Sequence, residues 1–280
     1  MKTLVTGATG KLGKEVVKQL VNKGIRVLAA TRDISKVAKT SNIEPVLFDY
    51  EKPTTYAVAL ENVDSIFLIA PSMDPYADKK LLPFIDAAHE AGVKQIVVNS
   101  ALGIDANPEA ALFKIENYVK DAGFKYAIIR PNFFMDNFTA GFIAPMIAHQ
   151  NGIFVAAGNG KTAFIATSDI AAVAVRVITD LQNYNGKIFN LTGSKALHHE
   201  EAAMIISKVK GREINYVPIT ASDMKKGAME NGMPEPSADM MLALYGATSA
   251  GYMSVVTNDF EQVIGNKPLS FEDFINSNIK

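Results

Sequence analysis

Residues 1–13 read MKTLVTGATGKLG. Leu4 and Val5 are the apolar centre of a short buried strand, and Gly7, Gly10 and Gly13 follow at the spacing G-x-x-G-x-x-G. Leu12, Val16 and Leu20 then recur four apart, the period of an amphipathic helix, and Gly24 stands where that helix would end in left-handed backbone. Each glycine has a mechanical reason. The first permits the tight turn, the second lets backbone approach a pyrophosphate, and the third packs helix against strand. The helix start adds free N–H groups and the positive end of its dipole, both of which attract phosphate. Gly7, Ala8, Thr9, Gly10, Lys11 and Leu12 are therefore candidate contacts to a dinucleotide.

Downstream, apolar strand candidates alternate with helical patterns. The strands fall at Leu4–Thr6, Val27–Thr31, Val46–Phe48, Ser65–Ile69, Gln95–Val98 and Tyr126–Ile129. Amphipathic segments lie near 12–23, 54–61, 78–91 and 109–122, with Gly92 and Gly123 as stops. Short Val/Ile/Leu-rich strands separated by helices predict a parallel sheet covered on both faces. Right-handed crossovers then impose a doubly wound α/β order, the Rossmann arrangement, with ligands at the strands' carboxyl ends. Near residue 150 the rhythm changes: Gly152, Gly158 and Gly160 mark loops, Asp169 reads as the N-cap of a helix through Thr179, and Lys187–Leu191 as one more strand. Expected, then, are a dinucleotide-binding domain over 1–150 and a smaller, mostly helical lobe over 151–280, partly interwoven with the sheet.

A chain of 280 residues can bury roughly three quarters of its unfolded surface. The net charge of −1 gives no basic excess for nucleic acid. With no cysteine, thiol nucleophiles, disulfides and zinc–thiolate sites are excluded. No apolar run approaches membrane-spanning length, and a strand starting at residue 2 leaves no room for a cleavable signal, so a cytoplasmic location is expected. No metal site is expected either. The four histidines include an adjacent pair, His198 and His199, poorly placed to address one ion. The methionines over 224–253 read as apolar core or cleft lining.

The end of the second strand reads the adenosine ribose: an acidic residue there accepts from the 2′-hydroxyl of NAD, and arginine pairs with the 2′-phosphate of NADP. Here Thr31 is followed by Arg32, with Lys36 one helical turn on and Lys11 in the glycine turn. Asp33 follows the arginine and is placed to cap the next helix instead. NADP(H) is the expected cofactor.

These residues resemble the NmrA-like branch of the atypical short-chain dehydrogenases/reductases over nearly the whole chain. Besides TGATGKLG and Thr31-Arg32-Asp33 with Lys36, Phe48-Asp49-Tyr50 is similar to the acidic residue after strand three. The resemblance places Asp49 and Tyr50 by the adenine. Glu116, Gly123 and the run Arg130–Asn137 (RPNFFMDN) resemble the family's long motif, and Phe189–Gly193 and Pro268, Phe271 and Phe274 also fit. The family includes quinone reductases, a triphenylmethane-dye reductase and redox-sensing regulators without turnover.

Ordinary members of the superfamily carry a tyrosine acid and, four residues on, a lysine. Counted back from Glu116, those places hold Pro108 and Leu112, both inert. Lys114 and Tyr118 are also four apart, but a helix turns them about 200° and 240° away from Leu112, toward solvent. The dyad therefore reads as absent, and no catalytic residue is assigned. Without a positioned proton donor, simple ketones and alcohols are poor substrates. Quinones and cationic dyes yield a stable anion or neutral product on taking hydride, so orientation and water exclusion suffice. Ala70, Pro71 and Ser72 after strand four and Asn132 after strand six are candidate cofactor contacts. Phe133, Phe134 and Asn137, with Tyr76 as a lid residue, are candidate contacts to a flat acceptor. The expected function is NADPH-dependent hydride transfer to such a small molecule by a monomer or homodimer. The alternative is a non-enzymatic NADP(H) sensor.

Overall fold

The computed structural model describes residues 1–279. In chain order the first elements are β1 (Lys2–Val5), α1 (Lys11–Asn22), β2 (Arg26–Thr31), β3 (Ile43–Leu47), α2 (Tyr56–Ala59), β4 (Ser65–Ile69), α3 (Ala77–Glu90), β5 (Gln95–Asn99), α4 (Ala111–Asp121) and β6 (Lys125–Pro131). There follow α5 (Asn137–Ala140), α6 (Ala144–Gln150), β7 (Gly152–Val155), β8 (Lys161–Thr162), α7 (Thr167–Thr179), α8 (Leu181–Tyr184), β9 (Lys187–Leu191) and β10 (Leu197–His198). The last are α9 (His199–Lys210), β11 (Asn215–Pro218), α10 (Ala221–Glu230), α11 (Glu235–Ser249), α12 (Asp259–Ile264) and α13 (Phe271–Asn278).

The chain divides into two compact units, Met1–Arg130 with Ile170–Asn190, and Pro131–Asp169 with Leu191 onward. A single cut at 150 is thus corrected to crossings after 130, 169 and 190. The physical reason lies in hydrogen bonding: β9 returns as the seventh strand of the main sheet, whose order is β3-β2-β1-β4-β5-β6-β9. The pairs from β3 through β6 are parallel, as expected for a doubly wound sheet.

In the first unit, Leu4 and Val5 are fully buried, and α1 turns Leu12, Val16, Val17 and Leu20 inward. Burial of each such side chain contributes about 1.5–3 kcal/mol. On the core side of α3, Leu81, Phe84 and Ile85 pack with Phe48, Tyr56 and Ile115 of α4. The second unit holds a parallel pair, β7 with β11, an antiparallel pair, β8 with β10, and helices around an aromatic interior. Phe138 meets Phe164 and Phe271 edge-on at 5.0 and 5.1 Å between centroids. Asp169 is not the N-cap of α7 as the sequence suggested. The helix starts two residues earlier, and the Asp136 carboxylate accepts from Thr167 N (2.9 Å) and Oγ1 (2.6 Å).

Candidate functional site

The turn after β1 is shaped by backbone. Gly7 has φ +60°, a conformation that strains any side chain, and Gly10 N donates to Gly7 O at 2.9 Å. A Cβ on Gly13 would stand 2.1 Å from Gly7 O, so α1 approaches the turn as closely as glycine allows. Gly10 caps α1 without a side-chain hydrogen bond, and no acidic residue occupies the first turn. The helix start thus has a glycine in place of a side-chain cap and no acidic residue in its first turn. A helix start of this kind fits a phosphate. The side chains of Ala8 and Leu12 are buried, and Ala8 N is engaged by Ala30 O at 3.3 Å. Any contact from Leu12 to a ligand comes from its backbone.

At the end of β2, Arg32 and Lys36 are exposed. Asp33 has another task. Its Oδ1 accepts from Ser35 Oγ (2.6 Å) and Ser35 N (3.0 Å), capping the short turn Ile34–Lys36, and the Ser35 bonds hold its carboxyl below the usual range. Both Ser35 bonds fall on Oδ1, and Lys36 Nζ lies 4.0 Å from Oδ2. If Arg32 reads a 2′-phosphate, Arg32→Ala lowers NADPH affinity roughly ten- to hundredfold and leaves NADH affinity nearly unchanged. Calorimetric titration with both cofactors checks this; equal wild-type affinities would contradict it.

The ends of β1, β3 and β4 are tied together. Thr6 Oγ1 accepts from Ile69 N at 2.7 Å, and the Tyr50 hydroxyl donates to Ile69 O at 3.0 Å. The Tyr50 ring meets Phe48 and Phe84 edge-on at 4.8 and 5.6 Å, and burial pushes its phenol up. The Tyr50 hydroxyl is therefore spent on the wall of the fold, while the residue as a whole is half-buried at the end of β3. Asp49 accepts from Glu51 N at 3.0 Å. Ala70 and Pro71 are half-buried, while Ser72 and Tyr76 are exposed. At the end of β5, Asn99 Oδ1 and the Ser100 hydroxyl are buried without a hydrogen-bond partner.

Lys114 pairs with Glu109 at 2.7 Å, and the Tyr118 hydroxyl donates to Asp86 of α3, which pushes the phenol up. Arg130 is clamped in the interior: Nε and Nη2 donate to the two Glu116 oxygens at 2.9 and 2.6 Å, and Nη1 to Asp105 at 2.8 Å.

In the second unit, Asn132 is buried; Nδ2 donates to Met253 O (2.9 Å) and Oδ1 accepts from Phe133 N (2.8 Å). Both ends of its amide hold the fold. Phe133, Phe134 and Asn137 are half-buried. Phe133 meets Tyr245 of α11 at 5.5 Å, and Tyr245 also meets Phe142 at 6.1 Å. Tyr245 carried no signal in the sequence, because its partners lie about a hundred residues away.

His199 was also missed. It is 2% exposed, ringed by Phe138, Phe164, Tyr216 and Tyr245, and neither ring nitrogen has a partner. Burial pulls its imidazole down to about 4, and burial pushes Asp169 up to about 6, aided by Asp136. The two act oppositely. The unfolded chain protonates His199 more readily, so the stability of the neutral ring is full above about 6.5 and is lost as pH falls toward 4. For Asp169 the folded state holds the proton more tightly, a contribution full below about 4 and lost as pH rises through 6. On going from pH 7.5 to 5, His199 costs about 2 kcal/mol and Asp169 returns about 1 kcal/mol. His199→Phe is therefore expected to gain about 2 kcal/mol relative to wild type over that interval, as read from urea unfolding at both pH values. A difference independent of pH would refute the assignment.

Against known proteins, the model of the NmrA-like family matches residues 1–274. The chain belongs to the NmrA-like family. It is 36% identical over 279 residues to "Prestalk A differentiation protein A" of Dictyostelium discoideum, covering 98% of this chain and 91% of that one. It is 31% identical to the NAD(P)H azoreductase of Xenophilus azovorans, covering 97% and 96% of the two chains. Among solved structures of NmrA-like and related folds, the NADPH complex of the quinone oxidoreductase QOR2 from Escherichia coli superposes with a TM-score of 0.85. That pair is 26% identical, with all of both chains covered. Among the described residues no helix is long and apolar enough to cross a membrane, and no group of three or more His, Cys, Asp or Glu residues could hold a metal ion.

Proposed function

We propose that this chain is an NADPH-dependent oxidoreductase that passes hydride directly to a flat, electrophilic small molecule, of which a quinone is the best example. The observation that carries the reading is the glycine-capped, acid-free start of α1 behind the close-packed Gly7–Gly13 turn. Arg32 is exposed at the end of β2, while Asp33 is engaged by Ser35. The similarity to a NAD(P)H azoreductase and to an NADPH-bound quinone oxidoreductase supports it.

When bound, NADPH supplies a hydride. The chain's own part is to bind and orient. The N–H groups at the start of α1 receive the pyrophosphate, and Arg32 with Lys36 receives the 2′-phosphate. Gly7, Thr9, Gly10 and Lys11 border the same turn, and Asp49, Ala70, Pro71 and Ser72 lie on the loops after β3 and β4. Within the second unit, Phe133, Phe134 and Asn137 are the proposed contacts for the acceptor; Tyr76, in the first unit, is a candidate on its own exposed loop. Aromatic faces bind a flat ring through stacking. A quinone that takes hydride becomes a hydroquinone anion, whose proton comes from water, so no side-chain acid is required.

Lys114→Ala and Tyr118→Phe should therefore leave turnover within a few-fold of wild type, whereas loss of a true general acid costs about 10²–10⁴-fold. A loss of that size in either variant, with the fold intact, would reinstate an acid mechanism. The function itself is tested by NADPH oxidation with quinones, cationic dyes, aldehydes and unactivated ketones. Quinones should react and ketones stay inert, and NADPH deuterated at the transferred position should slow single turnover. Tight NADPH binding with no oxidation by any acceptor would favour a sensor that distinguishes NADP⁺ from NADPH by conformation.

A further inference from the structure

Lys80, in the first turn of α3, joins two loops that α3 does not itself contain. Its Nζ lies 2.8 Å from Asp74 Oδ2, on the loop after β4, and 3.1 Å from Glu51 Oε1, on the loop after β3. Asp74 is the closing point of its own loop: Oδ1 accepts from Tyr76 N at 2.9 Å and its carbonyl from Ala77 N at 3.3 Å. The residue before it, Met73, takes φ +55°, left-handed backbone that a side chain adopts only under constraint. The Asp74 side chain is 14% exposed and that of Lys80 31%, so solvent screens this pair less than an ordinary surface pair. Partial burial opposes ionisation of Asp74, but the bonds from Lys80 and Tyr76 outweigh it and hold the carboxyl below its usual range.

We propose that Lys80 is a positioning residue for dinucleotide binding, fixing loop 70–76 and neutralising Asp74 and Glu51 on loops that border an anion site. This rests on the cofactor reading above and deepens it. Ala70, Pro71 and Ser72 lead directly into the Met73–Asp74 step, so the Lys80 contact anchors the far end of their loop. Loss of the ammonium leaves two carboxylates facing each other without a cation. Their repulsion loosens the loop that carries Ala70, Pro71 and Ser72.

The test is Lys80→Met beside Lys80→Arg and the double variant Lys80→Met/Asp74→Asn, with NADPH affinity measured by calorimetry and loop 70–76 followed by hydrogen exchange without ligand. Lys80→Met should weaken NADPH binding three- to tenfold, raise KM for NADPH with kcat within twofold, and speed exchange in the loop. Lys80→Arg should restore all three, and the double variant should recover part of the affinity. A loss that neither arginine nor removal of the Asp74 charge recovers would overturn the electrostatic role. Wild-type affinity in Lys80→Met would overturn the proposal alone, whereas a wild-type protein that does not bind NADPH would overturn the cofactor reading with it.

Discussion

Gly13→Ala is expected to lower NADPH affinity at least about 100-fold and to cost the protein about 1–3 kcal/mol of stability, the usual range for overpacking. The added methyl would stand 2.1 Å from Gly7 O, 2.7 Å from Gly7 C and 2.9 Å from Ala8 Cα. All three are backbone atoms, so no side chain can swing away. The start of α1 must retreat from the turn and carries its N–H groups with it. Gly10→Ala is the informative companion. Its Cβ would meet only Gly7 O, at 3.2 Å, so the fold tolerates it while the methyl stands where the pyrophosphate approaches the turn. Loss of affinity in both variants, with thermal stability lowered only in Gly13→Ala, separates the packing role from the ligand role. NADPH binding unchanged in Gly13→Ala would mean that the start of α1 does not hold the phosphate.

The second large effect is on stability. Glu116 is fully buried and both its oxygens are bound by Arg130, which is 5% exposed. Glu116→Ala leaves the guanidinium in the interior with only Asp105 as a charged partner at 2.8 Å, and Asp105 is largely exposed. Breaking a buried pair from one side costs about 3–5 kcal/mol because an uncompensated charge stays buried. Urea unfolding should show this as a lower midpoint at unchanged slope. Removing both charges, as in Glu116→Leu/Arg130→Met, should cost less than Glu116→Ala alone. A double variant less stable than the single one would mean that the pair contributes more than its burial costs.

Much of the first unit was legible because its signals are local. The G-x-x-G-x-x-G spacing, the four-residue apolar period of α1 and the short Val/Ile/Leu runs each specify an element within a dozen residues. The order of the parallel strands then follows from chain handedness, and the observed order agrees. Asp33 was also readable, since an Asp two residues before a serine caps its own turn. The second unit was less legible. Its elements are short, and Asn132, Tyr245 and Asp169 find partners at Met253, Phe133 and Leu269, about a hundred residues distant.

The sequence by itself determined the glycine-spaced turn, the α/β class and the family, since each depends on residue type at fixed short spacing. Only the tertiary structure decided which polar side chains are spent on the fold. It committed the Tyr50 hydroxyl to Ile69 and the Asn132 amide to Met253, gave β9 back to the main sheet, and enclosed His199 among four aromatic rings. It also joined Lys80 to two loops that the chain places 6 and 29 residues away. The physical reason is the same in each case. A hydrogen bond, an ion pair or a buried ring is fixed by what lies across space, and that partner is set by packing rather than by any period along the chain.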